Sequence, residues 1–163
     1  MKNQKILNQG FTLIELLISV AIIAILATVV ILSTTAAKNK GEDSGVKTNL
    51  HTVINQAELF FINNGNTYLP TPGSAFGIAA CPAYVGATGT NMLSQDKIIA
   101  NAIAQATLNG NLNACYNSDS RWAVAVGLKS VSTDSWCVDS TGASKQVAAV
   151  PASAINSSTF ICN

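Results

Sequence analysis

An apolar run from Phe11 to Leu32 constrains this chain more than any other feature. At about 20 residues it has the length a helix needs to cross a bilayer core of about 30 Å. Without Glu15 it would read as a plain membrane span. That carboxylate sits four residues into the run, where a charge near the middle of a span costs roughly 2.5–3.5 kcal/mol. An acidic group kept at that cost marks a function and calls for a cationic partner, since a low dielectric strengthens their attraction.

The preceding residues point to the partner. Met1 to Gly10 reads MKNQKILNQG, with Lys2 and Lys5 as its only charges, which favours a cytoplasmic location. An ordinary secretory signal places its small-residue cleavage site beyond the apolar stretch. Here the small residue, Gly10, comes before it. Cleavage after Gly10 would remove the polar leader, keep the membrane helix, and create a new amine at Phe11, close to Glu15.

Gly10-Phe11-Thr12-Leu13-Ile14-Glu15, with a short basic leader and an unbroken apolar helix, resembles the processing site of type IV prepilins and of the related type II secretion pseudopilins. The resemblance covers roughly the first third of the chain. It implies that a prepilin peptidase cuts after Gly10 and methylates the Phe11 amine. It also implies that Glu15 meets the Phe11 amine of a neighbouring subunit during assembly. The partners it implies are identical or related pilin subunits in a homopolymer, the peptidase, an inner-membrane assembly platform, and the membrane before assembly. The expected location is a single-pass anchor in the cytoplasmic membrane, then a filament at the cell surface. Two other readings stay open: a pseudopilin of a secretion system, and a monomeric membrane-anchored binding module.

Charge is sparse, with nine Lys and Arg against eight Asp and Glu. Without Lys2 and Lys5 the balance is seven against eight, and no basic stripe remains to bind nucleic acid. No catalytic constellation or cofactor motif stands out. His51 is the only histidine and falls on a polar helix face. Asp119, Asp134 and Asp139 sit in or beside turns. They read as turn formers, with a calcium loop as the rival reading.

The cysteines are Cys81, Cys115, Cys137 and Cys162, none in a Cys-x-x-Cys pair, so a zinc site is poorly supported. In an oxidising compartment they make two disulfides, with three connectivities possible; reduced thiols are the alternative. The favoured pairing is Cys81–Cys115, pinning the long connection after the helix, and Cys137–Cys162, tying the tail to a strand.

Beyond Leu32 the pattern becomes amphipathic. Val46, Leu50, Val53, Ile54, Ala57, Phe60 and Phe61 make one helical stripe, and Gly65 is placed to cap it. Gly41 and Gly45 form a soft point where the helix would bend or loosen. Many pilins carry a Gly and a Pro in the apolar half, where this chain has Ala24 and Leu32. Those residues favour a more continuous helix. Residues 66–91 read as an irregular connection. A helix follows from Ser94, its expected N-cap, to Leu108. Strands are expected at Trp122–Leu128, Ser135–Asp139 and Lys145–Val150, with Pro151 ending the last. Trp122 and Trp136 are expected in the core, while Tyr68, Tyr84 and Tyr116 are expected to be exposed.

The expected fold is α+β: a long N-terminal helix whose amphipathic half packs on a small antiparallel sheet. The divisions are 1–10 (leader), 11–32 (membrane and assembly helix), 33–65 (amphipathic continuation) and 66–163 (globular domain).

Overall fold

A computed structural model describes residues 10–163. The leader, Gly10 apart, lies outside the described residues. Helix α1 (Leu13–Asn63) is followed by β1 (Phe76–Ala79), the short α2 (Met92–Gln95), α3 (Lys97–Gly110), β2 (Asn113–Asn117), β3 (Trp122–Gly127), β4 (Ser135–Asp139), β5 (Ser144–Val147) and the single turn α4 (Pro151–Ala154). The five strands form one antiparallel sheet in chain order. The chain divides into two compact units, one reaching to Ala37 and the other running from Lys38 to Asn163.

The second unit is built around β3, whose six residues are all buried. A strand covered on both faces reads as a continuous apolar run, and Trp122-Ala-Val-Ala-Val does. Its two faces differ in size. Trp122, Val124 and Val126 join Val46, Leu50, Val53 and Ala57 of α1 and Ile99, Ile103 and Ala106 of α3 in the main core. Ala123 and Ala125 face the other way, with Ala114, Cys137, Ala154, Ile155 and Cys162. Alanines there let α4 and the C-terminal tail lie close to the sheet. The layers are helices, sheet and tail.

The α1 stripe is buried as its periodicity implies: Val46, Leu50, Val53 and Ala57 are inaccessible. Ile54, Phe60 and Phe61 pack at its margin. Asp43, also on α1, accepts the backbone N–H groups of Lys129 (2.7 Å) and Ser130 (3.2 Å) and the Ser130 hydroxyl, holding the β3–β4 turn. Glu42 pairs with Lys129 at 3.2 Å beside it. Gly65 closes the helix with φ +74°. The Asn66 N–H returns to the Phe61 carbonyl, the six-to-one bond of a left-handed helix end.

Several expectations need correction. Gly41 and Gly45 do not break α1, which passes through both. Gly45 instead makes room, since a Cβ there would lie 2.5 Å from Asn109 Nδ2. Ser94 does not cap the long helix. It lies inside α2, under the cap Asn91, and Asp96 caps α3 by accepting from Ile98 and Ile99 at 2.8 and 3.0 Å. A carboxylate is the better cap because it also meets the positive end of the helix dipole. The connection 66–91 is not wholly irregular, for it contains the edge strand β1. The strand β2 was not anticipated. Pro151 opens a helical turn, with β5 already finished at Val147.

Trp122 is fully buried. Trp136 is partly buried, with Lys47 Nζ 4.5 Å from its ring centre. Tyr84 is 46% exposed, as expected, but Tyr68 is only 5% exposed. Its ring packs on Phe61 (centroids 4.6 Å apart) and edge-on to Trp122 (6.4 Å), while its hydroxyl donates to Glu58 at 3.1 Å. Tyr116 is half-buried and stacks on Phe160 at 4.2 Å.

Burial, followed by the hydrogen bond to and the charge of Glu58, pushes the Tyr68 hydroxyl up to about 12; the Trp122 indole, outside hydrogen-bond geometry, works weakly the other way. An unfolded tyrosine loses its proton near 10. Between those values the folded state keeps a proton that the unfolded state has lost, so stability falls as pH rises. The contribution is present in full below pH 10 and should decline by about 1–2 kcal/mol toward pH 12, allowing for solvent screening at the hydroxyl. Urea midpoints at pH 9 and 11.5 check this. Tyr68→Phe should flatten the difference, and an equal decline in that variant would assign it to other groups.

Candidate functional site

The candidate residues gather at the start of α1. Gly10 and Phe11 precede the helix and are exposed, Phe11 by 76%. Among the described residues, nothing lies within 4 Å of a Cβ built on Gly10.

Thr12 and Glu15 form a reciprocal cap. Glu15 Oε2 accepts from Thr12 N at 2.9 Å and Thr12 Oγ1 at 2.8 Å, while Glu15 N donates to Thr12 Oγ1 at 3.3 Å. This is the capping box of a Thr-x-x-Glu sequence. It places a negative charge in the first turn, where the helix dipole favours it. Thr12 was missed as a site residue, although the Thr12-Leu-Ile-Glu15 spacing carries the signal. The cap leaves Glu15 Oε1 outside the capping bonds.

Behind the cap, the large apolar side chains from Phe11 to Ile31 are between 52% and 83% exposed. The helix is long and apolar enough to cross a membrane, and none of its most apolar window is buried among the described residues. Burying one large apolar side chain is worth roughly 1.5–3 kcal/mol, so two or three outweigh the cost of Glu15. Hydroxyls within the row bond backward along the helix: Ser19 to the Glu15 carbonyl and Thr28 to the Ala24 carbonyl, each at 2.7 Å. They therefore present little unsatisfied polarity to hydrocarbon. Leu13, Leu16, Leu17, Val20, Ala21 and Ala24 line a shallow groove of about 420 Å³ on this helix. Alanines between leucines leave a recess that side chains of another helix can enter.

The other candidates belong to the unit from Lys38 to Asn163. Cys81 is bonded to Cys115 and Cys137 to Cys162, the pairing favoured by the sequence. His51 is exposed on α1. Asp139 is buried and accepts from Thr141 N, Thr141 Oγ1 and Cys162 N. Asp134 accepts from Gln146 and Thr133, and Asp119 from Ser120. The three aspartates are thus occupied with turns and the tail. No group of three or more His, Cys, Asp or Glu side chains is placed to hold a metal among the described residues.

Residues 7–31 match the family model described as the prokaryotic N-terminal methylation motif. The chain is 40% identical over 87 residues to the type IV wide pilus major component PilA4 of Thermus thermophilus, a match covering 52% of this chain and 63% of that protein. The chain therefore spans somewhat less than two thirds of that relative's length. No solved structure matches it. With the methylation motif at the head of an exposed apolar helix and this likeness to a pilus component over part of its length, the chain is similar to the type IV pilins.

Proposed function

We propose that the chain is a structural, non-enzymatic subunit of a type IV pilus-like filament. The observation that carries this reading is the pairing of Gly10-Phe11 with a capped Glu15 at the head of an exposed apolar row. In the membrane, lipid covers that helix. In a filament, other copies of the same helix would cover it. Prepilin peptidase would cut after Gly10 and methylate the new Phe11 amine. That amine, on a neighbouring subunit, would be the cation for Glu15.

The two groups would set axial register, while burial of the apolar row drives association. Such a contact adds little affinity in water and far more in a dry helix bundle. The inner-membrane platform would supply subunits from their single-pass state, and the unit Lys38–Asn163 would form the filament surface. PilA4 is named as a component of a pilus, and that likeness favours a pilus over a secretion pseudopilus.

N-terminal mass spectrometry on material sheared from intact cells tests the proposal. The expected result is a terminal peptide beginning at methylated Phe11. A chain still beginning at Met1, and found only in the membrane fraction, would overturn it.

A further inference from the structure

A second recess lies within the unit Lys38–Asn163, between α3 and the loop that leads from Cys81 to Tyr84. Its volume is about 610 Å³, within the range that holds a small ligand. Ala100, Ala104 and Leu108 of α3 and Tyr84 of the loop are among the residues that line it. The site is preformed. The Cys81–Cys115 bond fixes the loop, Cys81 N donates to Asn113 Oδ1 at 2.9 Å, and Asn113 Nδ2 donates to Thr107 Oγ1 at 2.8 Å. A preformed wall reduces the ordering cost of binding.

The lining selects a ligand chemistry. It contains no charged side chain, so it offers nothing to a phosphate, a carboxylate or a charged peptide. The Tyr84 ring is 46% exposed and stacks on no other ring among the described residues. The amides of Asn101 and Asn111 are exposed, with no side-chain partner among the described residues. Each amide brings two donors and an acceptor. An aliphatic ligand would bury them unpaired, at a cost. A pyranose suits both features: its C–H face lies on the electron-rich face of an aromatic ring, and its hydroxyls pair with amides.

We propose that this recess binds a neutral carbohydrate, with Tyr84 as the stacking platform and Asn101 and Asn111 as the hydroxyl-reading groups. The inference does not depend on filament assembly. The test is a titration of the isotope-labelled full chain, in dodecylphosphocholine micelles that carry no sugar headgroup, with lactose and with N,N′-diacetylchitobiose. The expected result is a saturable shift of the Tyr84, Asn101 and Asn111 signals by at least one of the two, with a Kd of about 1–10 mM. Tyr84→Ala should weaken binding at least tenfold, Tyr84→Phe should keep it within about twofold, and Asn101→Ala should weaken it without altering signals across the sheet. No shift from either sugar at about 50 mM, shifts confined to other surfaces, or unchanged affinity in Tyr84→Ala would each overturn the proposal.

Discussion

Glu15→Ala is expected to insert into the membrane at least as well as the parent chain and to yield at least tenfold less filament in the sheared fraction. Insertion improves because the substitution removes an unfavourable transfer of roughly 2.5–3.5 kcal/mol. Assembly falls because a neighbour's amine loses its counter-charge in a dry helix bundle, and a tenfold effect needs only about 1.4 kcal/mol. Part of the loss would be local, since the variant also dismantles the Thr12–Glu15 cap, worth about 1 kcal/mol. Thr12→Ala separates the two. It removes the hydroxyl half of the cap and leaves the carboxylate with its bond to the residue 12 backbone N–H, so it should reduce filament much less than Glu15→Ala. Immunoblots of sheared and membrane fractions measure both quantities. Parental amounts of filament from Glu15→Ala would remove Glu15 from the assembly contact.

The second large effect is on stability. Replacing Cys81 and Cys115 together by alanine should cost about 3–4 kcal/mol, because their bond spans 34 residues and a closed loop of that size removes this much entropy from the unfolded chain. Small domains are stable by about 5–15 kcal/mol in all, so the loss is a large share. With a urea slope of about 1–3 kcal/mol per molar, the midpoint should drop by roughly 1–4 M. The bond follows directly on the edge strand β1 and holds one wall of the Tyr84 recess, so hydrogen exchange should speed up there first. Removal of Cys137 and Cys162, 25 residues apart, should cost nearly as much. An unmoved midpoint would mean that the unfolded chain is already held compact by other contacts.

The N-terminal part of this molecule was legible because its signal is contiguous: glycine, phenylalanine and glutamate at fixed spacing ahead of one apolar run. The α1 stripe was legible because Val46, Leu50, Val53 and Ala57 repeat at helical spacing. What the sequence hid was mostly edges and ends. Phe76–Ala79 is four residues long at a sheet edge, inside a Gly- and Pro-rich stretch, where periodicity has too few positions to register. Asn113–Asn117 is polar at both ends because Asn113 and Asn117 serve neighbouring loops, Asn117 by accepting from Met92 N. Ser94 has the side chain of a cap, yet it lies inside α2, and Asp96 takes that place at α3. Tyr68 looked exposed because its sequence neighbours are polar, yet Phe61 and Trp122, distant in sequence from one another, close over it. Except at the helix caps, the deciding partner lies far away along the chain.

The unequal faces of β3 bear on folding fidelity. A one-residue slip of this strand would turn Trp122, Val124 and Val126 toward the tail and the alanines toward the helices, leaving a void on one side and a collision on the other. A two-residue slip would keep large and small on their own sides and escape that check. It would also move β3 against Cys115 on β2, which lies opposite Val124, and Cys137 on β4, which lies opposite Ala125. Each of those cysteines is bonded to a segment outside its strand. Side-chain size thus rejects the odd errors, and since neither bond touches β3 the even ones are left to its turns, of which the β3–β4 turn is held by Asp43.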